Sequence, residues 1–309
     1  MVRAAARSAP WADQTSLDAP PAETFEWRLP GSPVESVFVP PAHRIHRGNS
    51  LAVMLLAMAV LAGCATFASR ASAVMSYPVG IPSAPQPSSL APPGHHSLAG
   101  YREVYVNNFN GSGLPPGWIA FSGHPGGLPT VNFSVKHVVV SHGLLQLKTY
   151  RDPAYANAWT IGGLCQCGRF SLYGAYFVRS RITAGGANTA ELLWPHDNQW
   201  PPEIDFNENL NHLALTSSTT HWSPGNQEDF TTLRIDMLQW HTWGVIWTPT
   251  YILFVVDGQV WHRLTVTSEI PNIPMVLDFE QRAVCPSSWE CPSGPSALLI
   301  DWVAEYEPN

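Results

Sequence analysis

The sequence predicts an all-β fold, a sandwich of two antiparallel sheets, over its last two thirds. Three observations carry that expectation. Short runs of β-branched and aromatic residues recur from residue 102 onward, parted by Gly, Pro, Asn and Asp. After residue 100 no run of ten or more residues holds a convincing helical period. Strand and helix patterns do not alternate, which argues against Rossmann and TIM arrangements. For about 200 residues of short strands, a two-sheet jelly roll suits better than a barrel.

The chain joins two kinds of sequence. Of its 309 residues, 13% are charged, against about 25% in an average soluble chain. Residues 1–100 carry 6 basic and 5 acidic residues, whereas residues 101–309 carry 10 basic and 18 acidic. Eleven of the 13 tryptophans lie after residue 100. Lys136 and Lys148 are the only lysines, so no basic patch of the kind that binds nucleic acid is expected.

Residues 1–42 are rich in Ala and Pro and show no sustained period. His43-Arg44-Ile45-His46-Arg47 is basic, and Leu51 to Ala62 is an unbroken apolar run of 12 residues. A membrane-spanning helix needs about 20. A basic flank followed by a short apolar run is the pattern of a secretory signal. Leu61-Ala62-Gly63-Cys64 resembles the lipobox of bacterial lipoproteins, which implies lipidation at Cys64. Ala71-Ser72-Ala73 offers an ordinary cleavage site instead. Three segments are therefore expected: leader and signal at 1–64, a Pro/Ser/Ala-rich linker at 65–100, and a folded domain at 101–309. The prolines at 78, 82, 85, 87, 92 and 93 point to an extended tether.

In the domain, strands are expected at Glu103–Val106, His137–Val140, Leu144–Tyr150, Ala175–Ile182, Trp243–Trp247, Tyr251–Val256, Gln259–Leu264, Met275–Phe279 and Ala297–Tyr306. Ser141-His142-Gly143 and Asp257-Gly258 read as hairpin turns.

The chemistry concentrates in Glu203-Ile204-Asp205-Phe206-Asn207-Glu208. Side chains alternate along a strand, so Glu203 and Asp205 share a face. One β-bulge after Asp205 returns Glu208 to that face. Three adjacent acids repel, and repulsion raises at least one pKa. Two carboxyls with separated pKa values are what glycoside hydrolysis needs. Four strand rises place the Glu203 and Glu208 backbones about 13 Å apart. Side chains leaning inward can close that to about 5–5.5 Å, the separation of retaining enzymes.

These residues resemble the E-x-D-x-x-E signature of glycoside hydrolase family 16 in its bulged form. Glu191-Leu192-Leu193-Trp194-Pro195, His221-Trp222, the run from His241 to Pro249, and Leu299-Ile300-Asp301-Trp302-Val303 are similar to that family's flanking segments, in order. The resemblance implies a concanavalin A-like β-jelly roll over residues 101–309. It also implies Glu203 as nucleophile, Glu208 as general acid and then base, and Asp205 as the residue that tunes the pair. The bulged form is associated with β-1,3-glucanases, agarases and carrageenases. Two stretches depart from the usual pattern: Phe206-Asn207-Glu208-Asn209, and residues 275–284, where an apolar return strand is expected.

Trp194, Trp200, His221 and Trp222 are the candidate substrate contacts, because aromatic faces stack on the apolar faces of sugars. Trp243, Trp247 and Trp302 have apolar neighbours and are expected in the core. Arg179 and Arg181 are expected to pair with acids on a sheet face. Cys165, Cys167, Cys285 and Cys291 form an even set in an exported domain, so disulfides are expected, with three pairings open. No metal site and no catalytic cofactor are expected. The family resemblance allows a structural calcium at Asp301.

The function expected is an exported, endo-acting, retaining hydrolase of β-glycans, with β-1,3- or mixed-linkage glucan foremost. A transglycosylase on the same site and a lectin-like binding module are the alternatives. The expected partner is a polysaccharide, with membrane contact only through a lipid anchor and with a monomeric chain.

Overall fold

The structure is a computed structural model that describes residues 77–124, 131–283, 285 and 291–309. The signal, Cys64 and the first part of the linker lie outside the described residues.

Strands dominate. β1 (Ile81–Pro82) and β2 (Leu90–Ala91) form a small hairpin. β3 (Tyr101–Asn107), β4 (Ile119–Ala120) and β5 (Asn132–Phe133) follow. β6 (Val138–Ser141) and β7 (Leu144–Asp152) pair around His142-Gly143. Both turn residues have positive φ, 56° and 71°, as a tight two-residue hairpin requires. Next come β8 (Ala158–Ile161), β9 (Gly163–Cys165), β10 (Gly174–Ile182) and β11 (Asn188–Pro195). β12 (Glu203–Glu208), β13 (Thr216–Trp222) and β14 (Gln227–Leu233) make a meander. β15 (His241–Trp247), β16 (Ile252–Val256) and β17 (Gln259–Leu264) make a second. The Asp257-Gly258 turn that joins β16 to β17 again has positive φ at both residues. β18 (Met275–Arg282) and β19 (Ser296–Pro308) close the fold. The described helical segments are single 3₁₀ turns.

The strands form two large sheets. The front sheet has the order β14-β13-β12-β11-β18-β9-β4, all antiparallel. The back sheet runs β17-β16-β15-β10-β19-β7-β8-β5, with β3 on β19 and β6 on β7. Between the sheets lies the main core. Leu193, Ile204, Phe206, Leu277 and Phe279 from the front meet Tyr176, Val178, Val245, Phe254 and Val303 from the back. Trp243 and Trp247 are fully buried in it. In the front sheet the inward residues fall at every second position, Ile204 and Phe206 of β12 and Met275, Leu277 and Phe279 of β18.

The back sheet buries its outer face as well. Ala175, Phe177, Ile246, Val255, Trp302 and Tyr306 form a second cluster there, packed by Tyr77, Leu98 and Tyr101. The Pro-rich segment expected to be an open tether is, from Tyr77 on, the cover of this cluster. Trp302 Nε1 donates to the Leu90 carbonyl at 3.0 Å, and Thr242 Oγ1 to the Val79 carbonyl at 2.7 Å. Ser88 donates to Asp301 from its backbone N–H at 3.0 Å and from its hydroxyl. Proline lacks a donor, but the segment needs few of its own: buried side chains of the sheet supply them.

Candidate active site

The site is built on the outer face of the front sheet. Along β12, Glu203 pairs with His221, Asp205 with Thr219 and Glu208 with Ser217 of β13. On the other side, Asp205 pairs with Leu192 and Asn207 with Glu191 of β11. Two residues of β12 thus oppose one step of each neighbour, and Phe206 is the extra residue. This is a β-bulge. Without it Glu208 would turn toward the core. With it, Glu203, Asp205 and Glu208 share the face that carries His221, Thr219 and Ser217. Ile204 and Phe206 point inward and are fully buried.

Each acid is held. Trp200 Nε1 donates to Glu203 Oε2 at 2.6 Å. His221 Nε2 lies 3.3 Å from Asp205 Oδ2, and its Nδ1 meets Asn226 Oδ1 at 2.7 Å and Glu228 Oε1 at 3.5 Å. Asn188 Nδ2 donates to Glu208 Oε1 at 2.6 Å. Glu203 and Asp205 are buried, and Glu208 is half-buried. Burial pushes the Glu203 carboxyl well above the usual range, and the neighbouring Asp205 adds to this. Asp205 rises for the same reasons, burial first and then Glu208. Trp200 and His221 act against the rise at Glu203. One oxygen or nitrogen each from Glu203, Asp205 and His221 fall within 4.8 Å of one another.

Of the expected substrate contacts, Trp194 faces this side of β11, two residues beyond Leu192, and packs near Trp200. The Trp200 ring centre lies 5.8 Å from that of His221. Trp222 departs from expectation. It follows His221 on β13, so strand alternation turns it to the opposite face. Arg179 and Arg181 are on the outer face of the back sheet. Arg179 pairs with Asp257 at 3.5 Å, while Arg181 donates to the Leu238 carbonyl at 3.3 Å and covers the Trp240 ring.

Several residues at the site escaped the sequence reading. Glu191, on the core side of β11, is fully buried opposite Asn207 of the bulge. It accepts from the Ser180 hydroxyl of the back sheet, and burial raises its carboxyl to about 8. Thr216 Oγ1 in turn donates to Asn207 Oδ1 at 2.7 Å. Asp278 and Glu280 of β18 lie on the outer face, opposite Leu192 and Ala190. The period-2 pattern Met275, Leu277, Phe279 against Asp278, Glu280, Arg282 was their signal.

The cysteines pair locally, Cys165 with Cys167 and Cys285 with Cys291. Cys165 sits beside Asp278 in the ladder. At Asp301, the place considered for calcium, Ser88 donates twice and the Arg179 guanidinium bears on the carboxylate. Both Ser88 donors reach one oxygen, Oδ2, and the buried Oδ1 has no hydrogen-bond partner.

An antiparallel sandwich whose front face gathers bulged carboxylates and aromatic rings is a carbohydrate-active β-sandwich. The chain belongs to the glycosyl hydrolases family 16, whose family model matches residues 129–303. Among solved structures, the catalytic domain of an endo-1,3-β-glucanase (laminarinase) from Thermotoga petrophila is similar, with a TM-score of 0.58 at 19% identity, covering 68% of this chain and 98% of that one. The laminarinase from Rhodothermus marinus has a TM-score of 0.61 at 21% identity, over 68% and 98%. A prokaryotic β-1,3-1,4-glucanase (lichenase) derived from a mouse hindgut metagenome has 0.56 at 22%, over 66% and 99%. At these identities the likeness is one of fold. No curated protein matches the chain at a significant level.

Proposed function

We propose that the protein is a retaining, endo-acting glycoside hydrolase of β-glycans, with β-1,3- or mixed-linkage glucan as its substrate. The observation that carries this reading is the bulge at Phe206, which sets Glu208 on the same face as Glu203. Two carboxyls so placed can act in sequence on one glycosidic bond.

Glu203 attacks the anomeric carbon while Glu208 gives its proton to the leaving oxygen. Water, deprotonated by Glu208, then releases the sugar from Glu203. Glu203 must be ionised to attack, although burial opposes its charge. Asp205 resolves this. Two buried carboxyls this close share protons as a pair. A proton kept on Asp205 is donated to Glu203 in a hydrogen bond, and Trp200 N–H supplies a second donor at 2.6 Å. His221 fixes Asp205 from the far side. Trp200, partly exposed beside Glu203, offers its ring to the sugar, whereas Trp194 is buried and packs near it.

Like the laminarinase neighbours, this chain is expected to cleave laminarin. The export reading rests on the basic-plus-apolar segment at 43–62 and on two disulfides, which persist in oxidising compartments. Among the described residues no helix is long and apolar enough to cross a membrane. Lipidation at Cys64 would hold the domain, as a monomer, at the cell envelope.

The test is hydrolysis of laminarin and lichenan by the purified protein, with the anomeric configuration of the first product read by proton NMR. Retained β-configuration and loss of turnover in Glu203→Gln are expected. Glycan binding without products, unchanged by Glu208→Gln, would instead make the protein a lectin-like module.

A further inference from the structure

The acidic face continues past the three residues of β12. β18 lies two strands away, with β11 between. Asp278 faces Leu192, which faces Asp205, and Glu280 faces Ala190, which faces Glu208. Two strand spacings separate the backbones of each acid pair, about 10 Å. Ala190 puts only a methyl group between Glu208 and Glu280.

Asp278 is 7% exposed, and its Oδ1 has no hydrogen-bond partner. Register through Leu192 puts it on the same face as Asp205 and Glu203, and Glu280, Glu203 and Asp205 are the charges that act on it. A buried acceptor without a donor is destabilising, and a ligand bearing a donor would remove that cost. The titratable groups on this face are Glu203, Asp205 and Glu208 of β12, His221 of β13, Glu228 of β14, and Asp278, Glu280 and Arg282 of β18. Acids outnumber the possible cations, His221 and Arg282.

We propose that Asp278 and Glu280 form a sugar-binding subsite that selects a glycan unit carrying a free amino group. The proposal rests on the glycosidase reading and names its substrate class. An ammonium offers three donors and a positive charge. It would satisfy Asp278 Oδ1 and offset the crowding of like charges around it. A hydroxyl offers a donor without the charge. A sulfate or uronate adds one more anion to a face already crowded with them. The order of preference is therefore aminated, then neutral, then anionic chains.

The experiment uses three soluble β-1,3-glucans of one backbone: the neutral polymer, its 6-amino-6-deoxy form and its 6-carboxy form. Charge-assisted hydrogen bonds are about twice as strong as neutral ones, so kcat/KM for the aminated chain should exceed that for the neutral chain about tenfold. The carboxylated chain should fall below the neutral one by a similar factor. Asp278→Asn with Glu280→Gln should bring the aminated-to-neutral ratio close to one. Each single substitution should move it part of the way, which guards against a double variant that does not fold. Raising the salt to about 0.5 M should shrink the ratio in the unmodified protein. An aminated-to-neutral ratio near one, or a ratio that the substitutions leave in place, overturns the proposal. The Glu203→Gln protein separates the two readings: preferential binding of aminated oligosaccharides without turnover by any form keeps the subsite and removes the hydrolase. Absence of that preference in binding as well removes the subsite.

Discussion

β12 and β18 both carry acids to the front face, by different means. β18 is regular, and Asp278 and Glu280 stand two residues apart as strand alternation demands. β12 is bulged at Phe206, and its third acid reaches the face only through the extra residue. A regular strand can only repeat a spacing. A bulge changes the direction of one side chain relative to the rest, and that change brings Glu208 to the face of Glu203, as the proposed reaction requires. In the two proposals, chemistry falls to the irregular strand and recognition to the regular one.

The largest effect that separates them is on turnover. Glu208→Gln should lower kcat on laminarin by about a thousandfold, the scale of a lost general acid, as steady-state kinetics would read. Asp278→Asn should shift the choice among charged and neutral chains far more than kcat on either. Equal losses of kcat in the two variants would erase the distinction.

A smaller effect tests what supports the bulge. Glu191 lies opposite Asn207 and reaches Ser180 across the core. Its carboxyl is raised to about 8, so the folded state holds a proton that the unfolded state gives up near its ordinary value of about 4.3. Stability from this group is fully present below the unfolded value and is lost as pH rises through about 8. The melting temperature should therefore fall between pH 5 and 8, and Glu191→Gln should flatten part of that fall. Glu203, Asp205 and Asp278 are raised as well and contribute slope of the same sign. An unchanged slope in Glu191→Gln would show that this carboxyl does not hold its proton in the fold.

The smallest expected effect lies far from both strands. Ser88→Ala removes the hydroxyl bond to Asp301 and should cost about 1 kcal/mol of stability, measured by urea unfolding. Laminarin turnover at a temperature where the variant is folded should not move.

Much of this could be read from residues alone. The β-branched and aromatic runs of β7, β10, β15 and β16 announced themselves, as did the turns at His142-Gly143 and Asp257-Gly258. β13 and β14 did not. Thr216-Ser217-Ser218-Thr219-Thr220 has no apolar alternation, and the segment is a strand because it pairs with β12 and β14. Residues 77–100 read as a tether because proline dominates them, whereas an exposed apolar cluster on the back sheet recruits them. The triplet of acids is local, six residues long, and so was legible. Asp278 and Glu280 lie some seventy residues further on. Only the ladder order, with β18 beside β11, brings them to the same surface. Trp222 shows the converse: closeness in sequence to His221 says nothing about face, and a step of one residue reverses it.

The Tyr77 backbone N–H meets the Gly258 carbonyl at 3.3 Å, and Val79 and Leu90 accept from Thr242 and Trp302 of the back sheet. Residues 77–100 thus clothe the side of the sandwich opposite Glu203 and Glu208, so that one flank is spent on stability while the other stays free for a long chain to lie across.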